Sequence, residues 1–361
     1  MKIGFISILG ERGQWHVTKN FMRALQDTHE LFLFGRPFGV RDGVFIGNIR
    51  DYDIKTAVKL SPTYTLAPEA VKDWVSSNKL NIVVFNEELN WTLVDAAKEA
   101  GAKTVTYLDY FTAETLPLFT KYDLVIVCAQ HAYKTFIESG LKNTKYIDWG
   151  VDTELFKPTI GEKTTFFHSA GWGGVNWRKC SPDILRSFDE LRKMGRDYTL
   201  FFHSQTGKCQ YPEDCQRIID KYVADGSMRV FFGSVPHPGL YYKGKINVAP
   251  SILEGLGLFL PEGLACGMPT ITTDAPPMNQ WVHANKNGLL IGTKGFHYRK
   301  DPYFFPEWEI DTKKLTMAMD ILGNDPEMVS RMAVEARKGI ETVNSFELFK
   351  KNVISLFETL R

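Results

Sequence analysis

The sequence predicts an α/β protein built from two Rossmann-like, doubly wound parallel-sheet domains. Three observations carry that expectation. Short apolar runs alternate with amphipathic segments, the alternation restarts after residue 150, and a turn-rich joint, WGVDTELFKPTIGEK, separates the two series. A chain of 361 residues has room for two domains of ordinary size.

In the first series the expected strands are KIGFISIL, ELFLFG, LNIVVFN, KTVTYL, YDLVIVCA and NTKYID, with QWHVTKNFMRALQD and NWTLVDAAKEAG as helices between them. The second series offers the strands TTFFHSAG, YTLFFHS, MRVFFGSV, KINVAPS and MPTITTD, and the helices SPDILRSFDELRKMG and YPEDCQRIIDKYVADG. The expected domains are 1–155 and 156–344. A last amphipathic helix in 345–361 is able to pack on either and is assigned to complete the first. Open α/β sheets bind ligands outside the carboxyl ends of their strands, so chemistry is expected at strand ends facing a central cleft.

Composition narrows the function classes. With 43 Lys plus Arg against 42 Asp plus Glu the formal net charge is +1, so there is no global basic field and nucleic acid is disfavoured as a partner. Five scattered cysteines, an odd number, fit a reducing, cytoplasmic compartment. MKIGFISILGERG reads as a first strand and not as a signal peptide. The long apolar stretch PSILEGLGLFLPEGLACGMP, residues 250–269, contains two glutamates, prolines and glycines, which argue against a transmembrane span. Peripheral membrane contact stays open.

That stretch is the first candidate site. It reads as the end of a strand, a loop, and a helix over Pro261–Ala265, with Glu254 in the loop and Glu262 in the helix. Gly255 and Gly257 allow close backbone approach to a ligand, and the N–H groups of a helix start suit a diphosphate, with Glu262 one turn along to accept ribose hydroxyls. On the residues alone, a tight turn with two solvated glutamates stands level with this reading, and a glycosidase carboxylate pair is a third.

Four further stretches hold candidates. HSAGWGGVNWRKC, residues 168–180, offers a glycine nest including Gly173, and two cations, Arg178 and Lys179, for a pyrophosphate leaving group. LGERGQWH places Gly13 and His16, with Trp15, at a first strand-to-helix turn, without a GxGxxG fingerprint. Glu87, Asp109 and Tyr110 stand at first-series strand ends with Asn86, Glu88, Asn90 and Trp91, where a hydroxyl-rich ligand needs carboxylates and an aromatic face, although turns and helix caps use the same residue types. TTDAPPMNQWV contributes Asn279. Asp51 and Asp53 form an isolated DxD, and His203, Cys209 and Cys215 have poor zinc spacing, so no metal is expected.

The pattern PS-x-x-EG-x-G-(x)4-EG-x-ACG-x-P, matched at Pro250, Ser251, Glu254, Gly255, Gly257, Leu258, Glu262, Ala265, Cys266, Gly267 and Pro269, resembles the E-x7-E signature of retaining, GT-B fold glycosyltransferases, especially family 4. WGVDTELFKP is similar to that family's interdomain segment. The resemblance implies Glu262 as the ribose-binding residue, Glu254 as a carboxylate beside the donor sugar, and Lys179 at the lysine position of the family's phosphate loop. It also implies donor contacts from Gly255, Leu256, Gly257, Leu258, Gly173, Gly13 and Asn279, and an acceptor side that includes Asp109, Tyr110, Glu87 and His16. The substrates implied are a nucleoside diphosphate sugar, with UDP or GDP as first candidates, and a hydroxyl acceptor that is a glycan, lipid-linked or small molecule; no cofactor is required.

Three departures stand out. The family's loop arginine has no counterpart near Gly171 to Gly173, so Arg178 is the candidate substitute; Asp109 stands where a histidine is frequent; and Pro276 and Pro277 replace a glycine pair. The alternatives carried are a nucleotide-sugar epimerase of the same fold and a catalytically degenerate nucleotide-sugar-binding protein.

Overall fold

Runs of β-branched and aromatic residues alternating with amphipathic segments form two parallel sheets, each built into its own compact unit. The structure is a computed structural model that describes residues 1–10, 13–37, 40–41, 44–45, 54–171, 178–299 and 306–361. The first unit holds Met1–Gly150 and Phe346–Arg361, and the second holds the described residues between them.

In the first unit the strands are β1 (Lys2–Leu9), β2 (Glu30–Pro37), β3 (Val40–Arg41), β4 (Val44–Phe45), β5 (Thr56–Leu60), β6 (Ile82–Asn86), β7 (Lys103–Tyr107), β8 (Leu124–Val127) and β9 (Thr144–Tyr146). Seven of them form a sheet in the order β5-β2-β1-β6-β7-β8-β9, while β3 and β4 make a separate antiparallel pair. The helices are α1 (Gly13–Leu25), α2 (Pro68–Asn78), α3 (Trp91–Glu99) and α4 (Gln130–Glu138). β1 is buried from Ile3 to Leu9, as a central strand covered on both faces must be. Strand order reverses between β1 and β6, where Ile3 pairs with Ile82 and Ile6 with Phe85. That reversal is a topological switch point.

The second unit repeats the plan with β10 (Thr164–Ser169), β11 (Leu200–Ser204), β12 (Met228–Phe232), β13 (Gly244–Ala249), β14 (Thr270–Thr273) and β15 (Gly288–Ile291), ordered β12-β11-β10-β13-β14-β15. Its switch point lies between β10 and β13. A hairpin, β16 (Thr293–Tyr298) and β17 (Pro306–Ile310), follows. The helices are α5 (Ser181–Lys193), α6 (Glu213–Ala224), α7 (Phe259–Ala265), α8 (Thr312–Asn324) and α9 (Pro326–Val343). Phe166, Phe188, Phe202, Ile246, Ile271 and Met319 form part of a closed apolar core between sheet and helices.

The chain ends in α10 (Phe346–Glu358), which belongs to the first unit. Its apolar face meets α1 through Phe349 and Phe21, whose ring centroids are 5.2 Å apart, and Lys350 pairs with Asp27 at 2.6 Å. Two strands of the parallel sheets escape the sequence pattern, as do the short antiparallel pairs β3–β4 and β16–β17. β5 is an edge strand with four of five residues exposed, so it shows no apolar run, and GLLI of β15 is too short to stand out.

Candidate active site

β10 and β13 are neighbours, with Phe167 opposite Asn247, so the segments leaving their carboxyl ends run side by side. Ile252 N–H donates to the Arg178 carbonyl at 2.9 Å and joins the two segments through their backbones. Across this junction Lys179 Nζ contacts Glu254 Oε1 at 2.5 Å, and Arg178 Nη1 lies 3.4 Å from Oε2. Lys179 also sits 3.4 Å from the centroid of the Phe259 ring, a cation–π contact. Lys179 and Glu254 are both buried, which is tolerable only because each charge neutralises the other.

The electrostatics follow from this packing. Burial alone would raise the Glu254 carboxyl, but Arg178 and Lys179 outweigh it and hold it below the usual range. For Lys179, burial wins over the attraction of Glu254 and lowers the ammonium to about 8. The field of Lys179 reaches Glu262 as well.

Glu262 projects from α7 and is nearly enclosed. Tyr241 donates its hydroxyl to Oε2 at 2.7 Å, and His237 Nε2 lies 4.0 Å from Oε1. Burial raises this carboxyl to about 7, against the opposing hydrogen bond from Tyr241. The helix begins at Phe259, two residues before the expected Pro261, because Gly257 already turns the chain with φ +77°. Pro261 stays within the first turn, where its missing N–H costs nothing. At seven residues α7 has a small dipole, so the field expected at its start is minor beside the Lys179 and Arg178 charges.

Two braces hold these loops. His168 on β10 donates from Nδ1 to the Val248 carbonyl and accepts at Nε2 from the Ser181 hydroxyl, each at 2.8 Å. Burial pushes it down to about 3, so it is a neutral strut tying β10, β13 and α5 together. At the far end of α7, Arg337 of α9 donates to the carbonyls of Ala265 and Phe156 at 2.9 and 2.7 Å.

The remaining candidates are placed as follows. Gly255 and Leu256 are buried in the loop, Leu258 is half-buried, and the Leu256 carbonyl accepts from Trp281 Nε1 at 2.8 Å. Asn279 donates to Asp274 Oδ1 at 3.1 Å beyond β14. Gly173, Asp51 and Asp53 lie outside the described residues. In the first unit Gly13 opens α1, His16 is half-buried, and Glu87 Oε2 accepts from Gln14 Nε2 at 2.5 Å. The Asp109 N–H donates to Glu87 Oε1 at 3.3 Å, and Tyr110 donates through its backbone as well. Trp15 is a core residue at 2% exposure, as a tryptophan opening a helix more often is, because the amphipathic phase of α1 turns it inward with Phe21 and Met22.

Sequence reasoning missed Tyr241, Phe259, His168 and Gln14. Their roles come from tertiary neighbours; Tyr241, for instance, stands 21 positions from Glu262. The described residues contain no cluster of three or more His, Cys, Asp or Glu arranged for a metal, and no helix among them is long and apolar enough to cross a membrane.

Comparisons with known proteins bear on this geometry. The family model described as glycosyl transferases group 1 matches residues 172–296, the part of the chain that carries Lys179, Glu254 and Glu262. The sequence matches no curated protein. Among solved structures, a glycosyltransferase from Rickettsia africae aligns with TM-score 0.76 at 12% identity, covering 99% of this chain and 98% of that one. Anabaena HepE, solved with UDP and glucose, aligns with TM-score 0.76 at 15% identity over 99% and 100% of the two chains. Sucrose-phosphate synthase from Thermosynechococcus elongatus aligns with TM-score 0.71 at 16% identity over 100% and 99%. The fold is therefore GT-B, and the family match and the fold together support a GT-B glycosyltransferase.

Proposed function

We propose that the protein moves a sugar from a nucleoside diphosphate sugar to an acceptor hydroxyl, with retention of anomeric configuration. The observation that carries this reading is the Arg178–Lys179–Glu254 cluster at the switch point of the second unit, with Lys179 and Glu254 buried and Glu262 on the helix that follows. Two adjacent cations at a switch point suit a diphosphate. Glu254 then acts as their counter-ion while no ligand is bound, since a buried cation without an anion is costly.

In this reading Glu262 accepts the ribose hydroxyls, with Tyr241 fixing the carboxylate through Oε2. The bond from the anomeric carbon to the diphosphate oxygen breaks, and Lys179 and Arg178 stabilise the charge that collects on the leaving group. The acceptor oxygen bonds to the anomeric carbon on the same face, and its proton passes to the departing phosphate. No step needs a metal or a cofactor. HepE was solved with UDP, so UDP is the first nucleotide to test, then GDP. The first unit, with Glu87, Asp109, Tyr110 and His16, is assigned to the acceptor. The reaction is assigned to the cytoplasm.

Calorimetry with UDP, GDP and ADP tests the donor site, and NMR of the product's anomeric signal tests retention. Absence of nucleotide binding would sink the proposal. Donor conversion without an acceptor to a new sugar nucleotide would favour an epimerase.

A further inference from the structure

The first unit has its own switch point, and its chemistry is opposite to that of the second. Glu87 directly follows β6 and takes φ +52°, a left-handed backbone that a side-chain-bearing residue adopts only when its surroundings impose it. Its N–H donates to the Tyr107 carbonyl at 3.1 Å, and its carboxylate receives Gln14 Nε2 and the N–H groups of Asp109 and Tyr110. Gln14 is held in turn: Asn86 Nδ2 donates to its carbonyl at 2.6 Å and to Thr18 Oγ1 at 3.0 Å, and Thr18 reaches Ser7 on β1 at 2.9 Å. The start of α1, the end of β1 and the end of β6 are thus clasped around one half-buried carboxylate.

In both units a carboxylate leaving the strand beyond the switch point contacts a side chain from the segment after the strand before it. In the second unit that side chain is a cation, Lys179, with Arg178 beside it. In the first it is a neutral amide, with the backbone N–H groups of Asp109 and Tyr110 beside it. The second arrangement attracts an anion. The first repels one and attracts hydroxyl donors.

Resting on the transferase reading, we infer that the switch point of the first unit binds the acceptor as an uncharged polyol, with Glu87 accepting its hydroxyl hydrogen bonds, and that it discriminates against acceptors bearing phosphate or carboxylate. Such selection by a fixed like charge is repulsive, and needs no shape difference between acceptors.

The test uses the full chain saturated with UDP and saturation-transfer NMR titrations. The probes are the methyl pyranosides of glucose, galactose and mannose, with their 6-phosphates and methyl glucuronide. At least one neutral glycoside should bind, and its charged counterpart should bind roughly tenfold or more weakly. Glu87→Gln keeps the shape and the backbone bonds while removing the charge. It should weaken the neutral glycoside about tenfold and narrow the discrimination to within about threefold, with the UDP affinity unchanged by calorimetry. Gln14→Leu, which leaves the backbone donors to Glu87 in place, serves if the first variant does not fold, and should also weaken the neutral glycoside. Charged glycosides that bind as well as neutral ones, no neutral glycoside binding, or full discrimination in a folded variant would overturn the inference. Failure of the wild-type chain to bind any nucleotide counts against the transferase reading instead.

Discussion

Glu262 and Lys179 titrate close to neutrality for the same reason, burial, and in opposite senses. Glu262 is raised to about 7 and Lys179 lowered to about 8, while Glu254 is held low by its two cations and stays charged throughout this window. If Glu262 works as a carboxylate and Lys179 as a cation, kcat/KM for the donor should be bell-shaped, rising through about pH 7 and falling beyond about pH 8. Rate profiles of Glu262→Gln and Lys179→Met check this: the first should lose the acidic limb and the second the alkaline one. Each should cost roughly ten- to a hundredfold in donor use, as expected for a lost charged hydrogen bond. Retention of activity within about twofold would remove the residue from the site.

The same carboxyl has a signature in stability. Glu262 is raised from an ordinary value of 4.5 to about 7 in the folded chain, so its contribution is fully present below about pH 4.5 and is lost as pH rises through about 7. Glu262→Gln should therefore gain up to about 3 kcal/mol over wild type at pH 8 and little at pH 4.5, while losing donor affinity. Denaturant melts of both proteins across this range would show the gap opening with pH. A constant gap would mean that the carboxyl is already charged in the folded protein.

At the scale of elements, the site depends on how α7 is launched and anchored. Gly257 takes φ +77°, and an added Cβ would also stand 3.2 Å from Leu260 Cδ1. Gly263 lies against Asn247 Nδ2, where an added Cβ would approach to 2.8 Å, so a larger residue there would have to displace the Asn247 side chain of β13. Gly257→Ala should cost about 1–2 kcal/mol of stability, from the left-handed backbone, and should lower donor affinity by moving Glu254 and Glu262 together. A thermal melt combined with calorimetry on UDP checks both effects. His168 and Arg337 explain why so short a helix is well placed: its strands are cross-tied at one end and its last carbonyl is occupied at the other.

For the whole molecule, the second unit closes its own apolar core. Phe166 and Ile246 on its sheet meet Phe188 of α5 and Met319 of α8, and among the described residues that cluster takes no side chain from the first unit. A fragment spanning 151–345 is therefore expected to melt cooperatively and to bind UDP within about tenfold of the full chain. Circular dichroism and calorimetry on the fragment decide it; a non-cooperative melt would mean that the first unit is needed for folding.

Much of this was legible in the residues. Continuous apolar runs identify central parallel strands because both faces are covered, and β1, β6 and β10 lie where their runs are. Edge strand β5 was not legible, since an exposed strand has no such run. Glu254, Glu262 and Lys179 were singled out because motif spacing is local. The ion pair between Lys179 and Glu254 spans 75 positions and the Gln14–Glu87 contact spans 73, and no local pattern encodes either.

The sequence by itself determined the class of fold, two parallel-sheet units, and the loops that carry charge, because hydrophobic period and turn chemistry act over a few residues. Only the tertiary structure decided which charges meet. It made Glu254 the buried partner of two cations, gave Glu262 a tyrosine and a near-neutral titration, and gave Glu87 an amide and two backbone N–H groups. Burial and pairing depend on strands brought together across the sheet, and these set the charge each carboxylate carries.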